Sequence, residues 1–207
     1  MARNTSPRGK IVRRFGINIF GSEKFNKLLQ KKPNMPGKDL SYRKKKLSVY
    51  GTQLIDKQKA KLMYGVLERQ FKRYFEIATS KKGKTGENLI SILESRLDNV
   101  VYRMHFAQSR RQSRQIVLHK HITVNGQTVN IPSYQLKAGD VVSVTEGYRK
   151  NILVLEALKS VGSYGVLSHI EVDADNCTGT FKNVPEKKDI PDIMEINEQL
   201  IVELYSK

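Results

Sequence analysis

The chain has 207 residues, 39% of them apolar, and its 37 Lys and Arg against 20 Asp and Glu leave a formal charge of +17. That apolar share supports a real core, no apolar run reaches the roughly 20 residues that span a bilayer, and the basic start lacks the apolar stretch of a secretion signal. A single cysteine, Cys177, excludes an intrachain disulfide and a cysteine-based zinc site and suits a reducing compartment.

The charge is unevenly spread. Residues 1–50 carry 14 basic and 2 acidic side chains, residues 51–100 carry 10 and 6, residues 101–150 carry 8 and 2, and residues 151–207 reverse the sign with 5 and 10. A compact protein repels itself at such a charge unless a polyanion neutralises it, and phosphate backbones do so while releasing counterions. Nucleic acid is therefore the leading partner class; the alternative, charge that serves only solubility, fits the clustering less well.

In chain order, residues 1–45 read as a basic N-terminal extension. Arg13-Arg14, Lys31-Lys32 and Arg43-Lys44-Lys45-Lys46 are separated by Gly, Pro and Asn, with one short amphipathic helix over Ser22–Gln30 using Phe25, Leu28 and Leu29. The rest buries little, and either orders on a partner or stays a mobile tail. From Gln53 to Thr79 the pattern is helical, broken near Gly65, with Leu67, Phe71, Phe75 and Ala78 on one stripe. Leu89, Leu93, Leu97, Val100, Val101 and Met104 predict one further amphipathic helix.

Ser109 followed by Gln112 fits a capping box that opens a helix ending near His119. Alternating residues around Asn125-Gly126 mark a hairpin, and Gly139-Asp140 turns into a strand at Val141–Val144. One more helix fits Asn151–Val161. Strand-like runs follow at Ile170–Val172 and Thr180–Val184, and the apolar stretch Leu200–Tyr205 is expected to return onto the helical part. The fold class is α+β: a mainly helical domain (46–93, completed by 185–207), an inserted module of helices and a small antiparallel sheet (94–160), and connecting strands (161–184).

No motif supports catalysis. Gly83-Lys84-Thr85 lacks the upstream glycine of a phosphate-binding loop, since that position is Ala78. His119 and His121 have no neighbouring Cys, Asp or Glu to complete a metal site; they are either polar residues at a helix end or contacts to phosphate or a base edge. No metal, cofactor or catalytic residue is expected. More informative are Arg110, Arg111 and Arg114, which fall at the start of a helix, where the dipole disfavours cations unless an anion sits there. With His119, Lys120 and His121 at the far end, that helix would form a continuous phosphate-binding strip. No aromatic stacking platform is visible beside these cations, which suits a reader of shape better than of single-stranded sequence.

The segments Ser95-Arg96-Leu97-Asp98-Asn99-Val100-Val101-Tyr102-Arg103-Met104, Ser109-Arg110-Arg111-Gln112-Ser113-Arg114-Gln115-Ile116-Val117 and His119-Lys120-His121-Ile122-Thr123-Val124-Asn125-Gly126 resemble the RNA-binding domain named after small-subunit ribosomal protein four. Ile131-Pro132-Ser133-Tyr134 and Lys137-Ala138-Gly139-Asp140-Val141 continue the likeness. The flanks Tyr50-Gly51-Thr52-Gln53-Leu54, Tyr64-Gly65-Val66-Leu67-Glu68-Arg69-Gln70-Phe71, Thr85-Gly86-Glu87-Asn88-Leu89 and Asn197-Glu198-Gln199-Leu200-Ile201-Val202-Glu203-Leu204-Tyr205 extend it to the family of the bacterial ribosomal protein itself. Departures are the N-terminal zinc cysteines of some members, absent here so that the chain resembles the zinc-free form, an altered turn at 35–40, and no tail tryptophan.

The resemblance implies a primary binder of small-subunit ribosomal RNA that organises the 5′ domain early in assembly. It also implies contact with small-subunit ribosomal protein five, a contribution to decoding accuracy, a place near messenger RNA, a cytoplasmic location and no membrane. The expected RNA-contacting set is Arg3, Lys10, Arg13, Arg14, Lys44, Lys45, Lys46, Arg96, Arg103, Arg110, Arg111, Arg114, Lys120 and His121. Two other readings are a regulatory RNA binder acting as a translational repressor and the binding module of an RNA-modifying enzyme; the second has no residues left for a catalytic domain.

Overall fold

The computed structural model describes residues 4–37, 46–159, 167–194 and 196–206. The chain divides into two compact units, Met1–Gly86 with Asp192–Lys207, and Glu87–Pro191.

In the first unit the chain forms helices α1 (Arg8–Phe15), α2 (Glu23–Lys31), α3 (Val49–Met63) and α4 (Glu68–Ser80), and at its end α10 (Glu198–Tyr205). Helix α1 stands in what the sequence presents as an extension. It buries Ile11 and Val12 and ends at Gly16, whose N–H bonds the Val12 carbonyl at 2.9 Å. Ile19 and the Phe25 of α2 are buried with them, so the described part of residues 1–45 is a packed helical pair. Gly65, at φ 65°, closes α3: its N–H reaches the Leu62 carbonyl and the Val66 N–H reaches that of Lys61 at 3.0 Å, a paired closure that needs a left-handed residue at this position. In α4, Phe71 and Ala78 are buried as expected, but Tyr74 joins them while Leu67 caps the helix and is exposed.

The terminal helix α10 packs on α3, through a 2.8 Å bond from Gln53 Nε2 to Glu203 Oε2. Its Tyr205 ring stacks on Phe75 with centroids 4.6 Å apart. Tyr205 also donates its hydroxyl to Glu68 at 3.0 Å, while Lys57 and Lys61 reach the same carboxylate at 2.7 and 2.8 Å. Burial opposes ionisation of Glu68, yet the hydrogen bonds from Lys57, Lys61 and Tyr205 outweigh it and hold the carboxyl down at about 2. A carboxyl lowered from its usual 4.5 to about 2 stabilises the fold at and above the ordinary Glu range and loses that contribution as pH falls toward 2. Because Glu68 is 48% exposed, solvent screening leaves about 1 kcal/mol. Thermal unfolding should therefore show Glu68→Gln melting below the wild type at pH 6, with the gap closing by pH 2; a constant gap would deny the linkage.

The second unit takes up the greater part of α5 (Thr85–Glu94), followed by α6 (Leu97–Arg103), α7 (Arg110–Leu118), the short α8 (Glu146–Arg149) and α9 (Ile152–Lys159). Strands β1 (Ile122–Val124), β2 (Gln127–Thr128), β3 (Val141–Val144), β4 (Ile170–Asp173) and β5 (Thr178–Phe181) make one antiparallel sheet in the order β2-β1-β3-β5-β4.

The single helix expected over 89–104 is two. The chain leaves helical geometry at Ser95-Arg96 because the segment 132–136 claims its backbone: Leu97 N–H bonds Tyr134 O at 2.8 Å, Asp98 N–H bonds Pro132 O at 3.1 Å, and Leu136 N–H bonds Ser95 O at 2.9 Å. The Asn125-Gly126 hairpin forms as expected, with φ of 49° and 81°, the left-handed pair that matches strand twist. The C-terminal strands do more than connect. β5 pairs β3 in the register Val142↔Gly179, and Phe181, fully buried, lies in the same core as Leu97, Val101, Phe106, Val117, Ile122 and Val144.

Candidate nucleic-acid interface

The site at the start of α7 is built from below by two buried carboxylates. Glu94, the last residue of α5, has no exposed side-chain surface and accepts from Arg103 Nη2 at 3.0 Å, Arg103 Nε at 3.2 Å and Asn99 Nδ2 at 2.7 Å. Asn99, so oriented, turns its Oδ1 to accept from Arg110 Nε at 2.8 Å. The Arg110 guanidinium lies 4.6 Å from the Tyr102 ring centroid, a geometry that holds a cation by the ring quadrupole.

The second carboxylate, Asp98, accepts from Arg96 Nε at 3.0 Å and Nη2 at 2.5 Å and from Arg114 Nη1 at 3.1 Å. Its backbone carbonyl accepts from the buried Ser113 hydroxyl. The arginines at this helix start thus owe part of their compensation to Glu94 and Asp98 of the neighbouring segment, where the sequence pattern suggested only an external anion. Arg110 and Arg114 are half-buried with their heads fixed, and Arg111 beside them is exposed.

Arg96 and Arg103 need correction. They are 2% and 8% exposed and engaged with Asp98 and Glu94; a phosphate cannot reach a guanidinium sealed inside a protein, and moving either charge out would break a buried ion pair. Arg103 ties α6 to the end of α5 through Glu94, and Arg96 fixes the Asp98 carboxylate that Arg114 of α7 also meets. The capping box is also only half formed: Ser109 Oγ accepts from Gln112 N–H at 3.4 Å, but the Gln112 side chain accepts from Gln108 N–H at 3.0 Å rather than from Ser109.

At the far end, α7 closes through Lys120, at φ 64°, with the His121 N–H bonding Ile116 O at 3.2 Å and the Lys120 N–H bonding Val117 O at 3.0 Å. Lys120 and His119 are exposed, and His121 is half-buried. The His121 ring lies parallel to that of Tyr148, centroids 3.9 Å apart at 6°. Sequence reasoning missed Glu94, Asp98, Asn99, Tyr102 and Tyr148 as shapers of the site. The polar pair Asp98-Asn99 inside an otherwise apolar stretch was the available signal for those two.

In the first unit, Lys10, Arg14 and Lys46 are exposed, and Arg13 is half-buried with its Nε donating to Asn34 O at 3.0 Å. Arg8, Lys24, Lys27 and Lys31 line a groove between α1 and α2. Arg3, Lys44 and Lys45 lie outside the described residues. The cations expected from the sequence therefore fall in both units, and the geometry unites Arg110, Arg111 and Arg114 on α7 with Lys120 and His121 at its end.

Residues 3–94 match the family described as ribosomal protein S4/S9 N-terminal domain, and residues 95–142 match the S4 domain. Over 210 residues the chain is 53% identical to the small ribosomal subunit protein uS4 of Stutzerimonas stutzeri, covering the whole of both. It is 51% identical to the protein of the same name from Burkholderia thailandensis and 50% identical to that from Delftia acidovorans, again over the full length of each. The chain belongs to the uS4 family. That family consists of structural ribosomal proteins rather than enzymes, which removes the RNA-modifying reading. The boundary between the two family matches, at 94/95, falls where Glu94 meets the Ser95-Arg96 break.

Proposed function

We propose that this chain is a structural component of the small ribosomal subunit that binds its ribosomal RNA directly, organises the 5′ domain early in assembly, and sits beside small-subunit ribosomal protein five near the path of messenger RNA, where it contributes to decoding accuracy. The observation that carries the RNA-binding part is the positioned arginine set at the start of α7. Arg110 and Arg114 are held by Asn99 and Asp98, so the exposed Arg111 is flanked by fixed cations rather than set in a solvated tail. Rigid cations lose less side-chain entropy on meeting phosphate. A-form RNA hides its base edges in a deep groove, so a protein that holds a junction reads phosphates, 2′-hydroxyls and shape.

The test is a KCl titration of binding to 5′-domain ribosomal RNA and to an unrelated structured RNA of equal length. The wild type should prefer the first by orders of magnitude. Arg111→Ala with Lys120→Ala, both exposed and therefore tolerated by the fold, should weaken binding and flatten the salt slope by about two units, one per phosphate contact. Equal affinity for both RNAs would reduce the protein to a general polyanion binder.

A further inference from the structure

The sequence shows no aromatic platform near the basic strip, but the fold assembles one. β1 and β3 pair with Ile122 opposite Val144, and the ladder continues one step as Thr145 N–H bonds His121 O at 3.0 Å. The chain then turns into α8, with Tyr148 N–H bonding Thr145 O at 2.9 Å and Arg149 Nε donating to Val144 O at 3.1 Å. This brings Tyr148 and His121 face to face at 3.9 Å. Tyr148 packs against the hydrophobic core, and the half-buried His121 ring lies parallel on it. The pair is thus anchored to the core through Tyr148 and fixed at both backbones.

Lys120 and Lys150, both exposed, precede and follow the pair in sequence, and the His119 ring lies beside His121 with centroids 6.1 Å apart and tilted. Burial, followed by repulsion from His119, lowers the pKa of His121 below its ordinary value. That direction favours the uncharged imidazole, whose ring face can stack. Parallel aromatic faces are what an unstacked base seeks, whatever its identity.

We propose that His121, backed by Tyr148, is a stacking platform for one unpaired base of the bound RNA, with Lys120 and Lys150 meeting the flanking phosphates. The proposal rests on the RNA-binding reading above and gives His121 a different role there from the phosphate contact suggested by its basic neighbours.

The test maps the complex of the full chain with 5′-domain ribosomal RNA by base-specific chemical modification and, separately, by hydroxyl-radical cleavage of the ribose backbone. His121→Ala should return reactivity to one or two unpaired bases and weaken binding on the order of tenfold, the scale of one base–aromatic stack, while backbone protection and the salt slope stay. His121→Phe should keep the base protection, because it preserves a ring and not a proton. Base protections unchanged in His121→Ala would overturn the platform. So would a uniform loss with a shallower salt slope, the mark of a phosphate contact, or a failure of His121→Phe to rescue. A wild type that protects no part of the 5′ domain would instead overturn the functional reading itself.

Discussion

Glu94→Ala is expected to destabilise the unit containing α6 and α7 by about 3–5 kcal/mol, the cost of leaving a buried cation without its partner, and to lower its thermal midpoint by more than about 10 °C. The carboxylate has no exposed surface and accepts bonds from Arg103 and Asn99. Its loss removes the carboxylate that faces the buried Arg103 charge and the bond that orients Asn99, and so loosens the seat of Arg110. Calorimetry of Glu94→Ala, Arg103→Met and the double variant decides the matter. If the pair acts as described, the double variant is more stable than Glu94→Ala alone, because no orphaned charge remains. Additive losses would mean that Glu94 acts only through its bond to Asn99.

The second large effect is expected in the core, on the last strand of the sheet. Phe181→Ala should cost about 3–5 kcal/mol, the usual toll for deleting a fully buried aromatic ring. Phe181 has no exposed surface, the His169 ring meets it edge-on at 6.1 Å, and its backbone bonds the 139–140 turn in both directions at 2.7 and 3.0 Å. Were residues 161–184 only connecting strands, the substitution would fall within about 0.5 kcal/mol. Chemical denaturation of the full chain separates the two outcomes, and RNA affinity should fall in step with stability in Phe181→Ala but not in Arg111→Ala.

Several features were legible because they depend on near neighbours alone. The Asn125-Gly126 hairpin needs only two residues that accept left-handed backbone, and the structure has them at 49° and 81°. The helix stop at Gly65 and the cap at Ser109 are local in the same way. Helix α1 was legible in principle, since Gly16 follows an apolar pair at Ile11-Val12, but the surrounding arginines masked the short stripe. The break at Ser95-Arg96 was not, because its cause is the distant segment 132–136, which takes the backbone bonds a continuous helix would have kept.

The site divides along the same line. Composition made a polyanion the leading partner and spacing put Arg110, Arg111 and Arg114 at a helix start, while the resemblance of long segments pointed to the family, since charge and motif are properties of residue order. Only the tertiary structure decided which arginines face outward. Arg96 and Arg103 look identical to Arg111 in sequence, yet 2% and 8% exposure removes them from any phosphate, because burial depends on what Asp98 and Glu94 bring beside them. The His121–Tyr148 stack has the same origin: the two residues are far apart along the chain, and strand pairing between β1 and β3 is what lays one ring on the other.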